Sequence, residues 1–141
     1  MPSETSTQTQ LASLIQMLQA EREEHLDAIA EYAHRTNVWV TASETLGTRW
    51  AFRDLFEKRA VSVCMFDVGW TGGLSESKKI ATMAEAYQLP VAPHDCTGPV
   101  VFCASTHLSL NAPNALVQES VRGYYRTWYR DLVTAVPEVK D

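Results

Sequence analysis

Four residues able to do acid/base or metal chemistry recur at nearly even spacing in this sequence: Glu44, Asp67, His94 and Glu119. Successive members stand 23, 27 and 25 positions apart, and each follows a short apolar run. A glutamate carboxylate is a hard oxygen donor suited to Mg²⁺, which makes Glu44 a candidate metal ligand. An aspartate beside a histidine fixes one imidazole tautomer and strengthens the ring as a base. Asp67 and His94 are therefore candidate catalytic partners. Glu119 could share a proton with a developing oxyanion or bind a substrate hydroxyl. Singly, an acid at a strand end is as often a helix cap or a solvated loop group. The even spacing of all four is what favours function.

That spacing is the length of one β/α unit. Apolar runs at 38–42, 61–66, 89–92 and 115–118 read as buried strands. Helical patterns at 48–58, 74–87, 100–110 and 123–133 follow them. Continuous apolar strands alternating with helices predict parallel pairing. The four polar residues would then lie at the C-terminal ends of neighbouring strands, the end that carries the active site of a (β/α)8 barrel. A complete barrel takes about 250 residues, and the chain has 141. The expected fold class is α/β, a partial TIM-like (β/α)8 barrel of about four units preceded by an N-terminal helix. From Gln8 to Asn37 two apolar stripes, Leu11–Leu18 and Leu26–Ala33, allow one long helix or two short ones. The charge run at 21–24 between them reads as a solvated face.

Composition narrows the partners. Hydrophobic residues make up 45%, which excludes disorder for most of the chain. A net charge of −5 offers no basic patch for nucleic acid or an anionic membrane. No apolar run reaches the ~18 residues of a membrane span, and the polar first ten residues do not read as a signal peptide. A cytoplasmic location is the expectation. Three cysteines, Cys64, Cys96 and Cys103, without a CxxC pair predict reduced thiols. Their spacing with His94 or His107 matches no structural zinc pattern. His25, His34 and His107 read as packed or surface residues, and Trp50, Trp70, Trp128, Tyr124 and Tyr125 as core or interface. Gly72-Gly73 reads as a tight strand-to-helix turn, although glycines before a helix also suit an anion.

The motifs SETL at 43–46, D-x-G-x-x-GG-L-x-E at 67–76, APH-x-x-x-GP at 92–99 and N-A-L-x-QE at 114–119 form a specific set. With them the chain resembles the C-terminal barrel of the mandelate racemase and muconate lactonizing branch of the enolase superfamily, and within it the acid-sugar dehydratases of galactonate type. The likeness runs from about residue 25 to 138. It implies an N-terminal segment at 1–24 outside the family pattern and a partial enolase-type barrel at 25–141. It also implies that Glu44 matches the third of three magnesium carboxylates, that Asp67 and His94 match an Asp–His dyad, and that Glu119 matches the acid near the substrate carboxylate. The implied chemistry takes a proton from the carbon α to a carboxylate, stabilises the enediolate on Mg²⁺ and expels the β-hydroxyl of a sugar acid. Such chemistry needs strong electrostatic help, because that α-proton is very weakly acidic.

The sequence also departs from the pattern. The capping domain, the strands bearing the first two metal carboxylates and the strand with a lysine base find no counterpart. Glu21, Glu23 and Glu24 lie in the helical charge run and make poor substitutes. One carboxylate holds the strongly hydrated Mg²⁺ weakly, so the expectation is weak Mg²⁺ binding and little or no dehydratase activity for the chain by itself. A half-barrel leaves strand edges and an apolar face uncovered, which predicts homo-oligomers. The alternative is a non-catalytic remnant or association module of the same fold.

Overall fold

The computed structural model of the chain describes residues 4–138. Helix α1, Glu4–Arg35, is one continuous helix, so of the two readings of this region the long helix holds. Its second stripe is the packed one: Leu26 and Ala30 are buried, while Leu11, Leu14, Ile15 and Leu18 are exposed. Ion pairs from Arg22 to Asp54 and from Lys58 to Asp27 tie this half to helix α2, Thr48–Glu57.

Strand β1, Thr41–Ala42, pairs in parallel with β2, Val63–Cys64, in the register Thr41–Val63 and Ala42–Cys64. Single parallel bridges continue the order outward: Cys64 to Val91, Asp67 to His94 and Val91 to Ala115. The four expected strands therefore lie side by side in sequence order, but regular pairing is much shorter than the apolar runs. Pro90 and Pro93 in the third segment carry no N–H to donate, which interrupts the ladder there. The backbone still makes the bonds that remain, including Ala92 N–H to Cys64 O at 2.9 Å and Glu119 N–H to Pro93 O at 3.1 Å.

Helices α2, α3 (Leu74–Ala86) and α4 (Pro99–Asn111) pack on one face of these segments. α2 buries Ala51, Phe52, Leu55 and Phe56, and α3 buries Ser77, Ile80, Ala81 and Ala84, each a single helical stripe. They meet Cys64, Phe66 and Val91 in one apolar cluster. α2 and α3 end alike. Arg59 (φ 51°) and Gln88 (φ 60°) are left-handed. The N–H groups of Ala60 and Leu89 then reach back to Leu55 O at 3.1 Å and Ala84 O at 2.8 Å. This is the Schellman closure that glycine usually provides. Gly72 and Gly73 both have positive φ, 112° and 95°, so the tight-turn reading of the pair holds.

The last expected helix, 123–133, is two short ones: α5, Arg122–Arg126, and α6, Tyr129–Leu132. The break falls at Thr127, whose φ −115° and ψ −110° are not helical. Tyr125 and Tyr129 both pack on Phe102, with ring centroids 5.7 and 6.4 Å away. Trp50, Trp70 and Trp128 are exposed rather than core, and the Arg49 guanidinium sits 4.7 Å over the Trp50 ring. Among the described residues no helix is long and apolar enough to cross a membrane.

Candidate functional site

Asp67 and His94 are direct partners across a parallel bridge. Register alone therefore sets their side chains next to each other, and His94 Nδ1 lies 3.0 Å from Asp67 Oδ2. Asp67 is fully buried. Its other oxygen accepts the Gly69 N–H at 2.7 Å, and Oδ2 also accepts from the Thr97 hydroxyl at 3.3 Å. Three donors thus converge on one buried carboxyl. A carboxylate oxygen accepting at Nδ1 calls for a proton on that nitrogen and leaves Nε2 with its lone pair facing the mouth.

Nε2 points toward Glu119, whose Oε2 is 3.6 Å away, an ion-pair distance when the ring is protonated. The Asp95 N–H donates to the same oxygen at 3.2 Å and holds Glu119 there. Glu44 lies in the turn after β1 and is half-buried. Its charge, with those of Asp67, Glu119 and Asp95, acts on the Cys96 thiol and helps burial push that thiol above its ordinary range. Asp67, His94 and Glu119 thus touch one another, and Glu44 reaches the same neighbourhood without a contact to them. All three cysteines are free thiols, and burial pushes the Cys64 thiol far up.

Four participants escape a reading of spacing alone. Gly69 and Thr97 solvate Asp67, and a Cβ on Gly69 would stand 3.1 Å from Asp67 Oδ1. Asp95 is fully buried, and Tyr129 lies 3.5 Å from its Oδ1. A signal for Asp95 did exist. Along the third segment Val91, Pro93 and Asp95 are buried while Ala92 and His94 are partly exposed. Asp95 thus occupies a helix-facing position in the two-residue alternation, where an apolar side chain is the norm. Glu76, from the D-x-G-x-x-GG-L-x-E motif, acts across elements. It accepts the Arg49 N–H at 2.9 Å and caps α2, whose own N-cap, Gly47, has no side chain to do so. That N–H, ahead of the Arg49 and Lys79 charges, holds the Glu76 carboxyl below its usual range.

Parallel β/α units with an Asp–His pair and two further acids at the strand ends define a barrel-type acid/base scaffold. The chain belongs to the enolase C-terminal domain-like family, which residues 17–141 match. An arabinonate dehydratase of Saccharolobus solfataricus is 38% identical over 92 residues, 64% of this chain and 25% of the relative. A D-galactonate dehydratase of Ralstonia pickettii is 34% identical over 102 residues, 72% of this chain and 27% of the relative. A crystal structure of an enolase of the mandelate racemase subgroup from Agrobacterium tumefaciens is 69% identical, with a TM-score of 0.77, over 82% of this chain and 31% of that one. The chain thus spans about a quarter of the curated relatives it matches. The expected α/β partial-barrel class and the resemblance to the sugar-acid dehydratases both hold.

Enolase-superfamily sites work with one or two Mg²⁺ ions. Mg²⁺ demands near-octahedral oxygen coordination and gives up water reluctantly. Among the described residues no group of three or more His, Cys, Asp or Glu side chains is placed to hold a metal ion. Glu44 is a single carboxylate, so the residues present do not by themselves fit a resident Mg²⁺.

Proposed function

We propose that this chain carries the acid/base arm of a sugar-acid dehydratase site. His94 is the proton-transfer group, Asp67 orients it, and Glu119 stabilises its charged form. The carrying observation is the 3.0 Å contact between His94 Nδ1 and buried Asp67. With Nδ1–H held by Asp67, the neutral ring takes up a proton at Nε2 from the carbon α to a carboxylate. Once protonated, the same nitrogen donates to a departing hydroxyl, and Glu119 stabilises the imidazolium in between. The substrate class, a small sugar acid, is supported by the dehydratase relatives. Glu44 is proposed as one metal carboxylate of a larger ligand set.

The test is ¹⁵N NMR of the His94 ring in the full chain. The expected neutral form is protonated at Nδ1; a neutral ring protonated at Nε2 would sink the reading. Calorimetric titration with Mg²⁺ is expected to show only weak binding, and a tight site would overturn the single-carboxylate assignment of Glu44.

A second reading, an association module of the same fold, has its own observation. The strand face turned away from the helices forms an open groove of about 410 Å³ lined by Trp39, Thr41, Val63, Met65, Ala92 and Leu116 among others. Trp39, Leu116 and Val117 are 68%, 49% and 60% exposed there, more apolar surface than water favours. Pairing two such faces would give a homodimer. Light scattering at micromolar concentration is expected to report a mass above that of one chain, and a clean monomer counts against this reading.

A further inference from the structure

Asp95 is a carboxylate beside the mouth that the reading above leaves unused. It is fully buried, and its Oδ2 has no hydrogen-bond partner among the described residues. Its Oδ1 has one marginal donor, the Tyr129 hydroxyl at 3.5 Å. Asp67, equally buried, has three donors. An unpartnered buried carboxylate oxygen is costly and rare in folded proteins, and perturbed acids of this kind cluster at functional sites. Its surroundings are also charged. Asp67 faces it from the segment after β2, Glu119 from the fourth strand segment, His94 from its own segment and Tyr129 from α6.

We propose that Asp95 is a positioning residue of the Asp67–His94 pair that also takes up and releases a proton: its N–H fixes Glu119 beside His94, and its carboxyl alternates between an anion held by Tyr129 and a neutral acid. The proposal rests on the acid/base reading of that pair and deepens it. Burial first, then the charges of Asp67 and Glu119, push the Asp95 carboxyl up to about 6, against the opposing pull of His94 and Tyr129. The proton comes from solvent and returns to it, so no other group need change state. When Asp95 is ionised, three carboxylates surround one imidazole; when it is neutral, two do. Asp95 thereby sets the charge that His94 and an anionic substrate meet.

The test follows the Asp95 carboxyl ¹³C signal and the His94 ring signals of the full chain through a pH titration. The expected Asp95 midpoint is about 6, with an inflection at the same pH in the His94 signals. Asp95→Asn should abolish that inflection, an effect that a structural role would not produce. Tyr129→Phe should move the Asp95 midpoint to higher pH, because it removes the donor that favours the anion. An Asp95 midpoint near the ordinary ~3.9, or the same His94 inflection in Asp95→Asn, would overturn the proposal. If Asp95→Asn does not fold, Tyr129→Phe decides, and an unmoved midpoint overturns it. Failure of the parent reading is separate, since it appears as the wrong His94 tautomer whatever Asp95 does.

Discussion

Replacing Asp67 with Asn tests the centre of the site with almost no change in shape. In the native chain the carboxyl accepts from Gly69 N–H at 2.7 Å, His94 Nδ1–H at 3.0 Å and the Thr97 hydroxyl at 3.3 Å. The Asn oxygen keeps the Gly69 bond. The new NH₂ faces the ring and the Thr97 hydroxyl, which until then were donors. Two N–H groups cannot face each other, so the ring must present Nδ1 as acceptor and carry its proton on Nε2. Hydrogen bonds to a charged group are worth about 1.5–3 kcal/mol net, against about 1 for neutral pairs. Reorganising two of the three therefore costs roughly 1–3 kcal/mol. With a urea m-value on the order of 2 kcal/mol/M for a chain of this size, the midpoint should fall by about 1 M. The ¹⁵N signals of His94 should exchange character, Nε2 becoming the protonated nitrogen. Proton transfer through Nε2 should then drop by orders of magnitude, as expected when the base is held in the wrong tautomer. An unchanged tautomer together with an unchanged urea midpoint would refute the reasoning, because it would mean that Asp67 neither orients the ring nor is itself solvated by these donors.

Substitutions at three further positions probe the surroundings. Gly69→Ala should destabilise the chain by about 1–3 kcal/mol in urea unfolding, because the added Cβ meets Asp67 Oδ1 at 3.1 Å and Val101 Cγ2 at 3.2 Å; stability equal to wild type would show that the segment yields freely. Glu76→Ala should cost about 1–2 kcal/mol by uncapping α2, whereas Glu76→Gln, which keeps an acceptor for the Arg49 N–H, should cost less; equal losses would put the weight on the Arg49 ion pair instead. Asp95→Asn should change how stability varies with pH. The folded value of this acid is raised, so the folded state binds the proton more tightly, and the stabilisation is complete below the unfolded value of 3.8 and lost as pH rises through about 6. About two units correspond to a loss on the order of 2–3 kcal/mol. Denaturation at pH values on either side of that window should show wild type losing stability relative to Asp95→Asn as pH rises, and parallel curves would contradict the shift.

The sequence carried the order of the units because each strand run is apolar on both faces and each helix is apolar on one stripe, as with Ala51, Phe52, Leu55 and Phe56. The ends of the units were harder to read. Arg59 and Gln88 close α2 and α3 in the left-handed region, where glycine is the usual signal, and nothing in their side chains announces it. The brevity of the ladder was legible in Pro90 and Pro93 but is easily overlooked beneath a hydrophobic run. Nothing in the local pattern marks the break at Thr127, and the shared contact of Tyr125 and Tyr129 with Phe102 does not require it, since residues four apart share a face of an unbroken helix as well. Asp95 differs from these: an acid at a helix-facing position conflicts with the binary pattern, and that conflict is a legible signal, since such conflicts concentrate at functional sites.

Register links these observations. Asp67 and His94 meet because they are bridge partners, and a slip of one residue would turn one of the two side chains to the opposite face. The third segment resists such a slip through main-chain bonds on both sides, although Pro90 and Pro93 have no N–H to add to them. On the β2 side the Ala92 N–H donates to Cys64 O and the His94 N–H to Phe66 O, each at 2.9 Å, and on the other side the Leu116 N–H donates to Val91 O at 2.9 Å and the Glu119 N–H to Pro93 O at 3.1 Å. Side-chain anchors add to them: Asn114 donates to Leu89 O at 2.9 Å and to Ala81 O at 3.1 Å. Asn114 belongs to the N-A-L-x-QE motif yet lies at the far end of the fourth segment from Glu119. Its amide ties the start of the third segment to α3. The motif therefore joins two tasks in six residues, locking the register at one end and presenting an acid to the imidazole at the other.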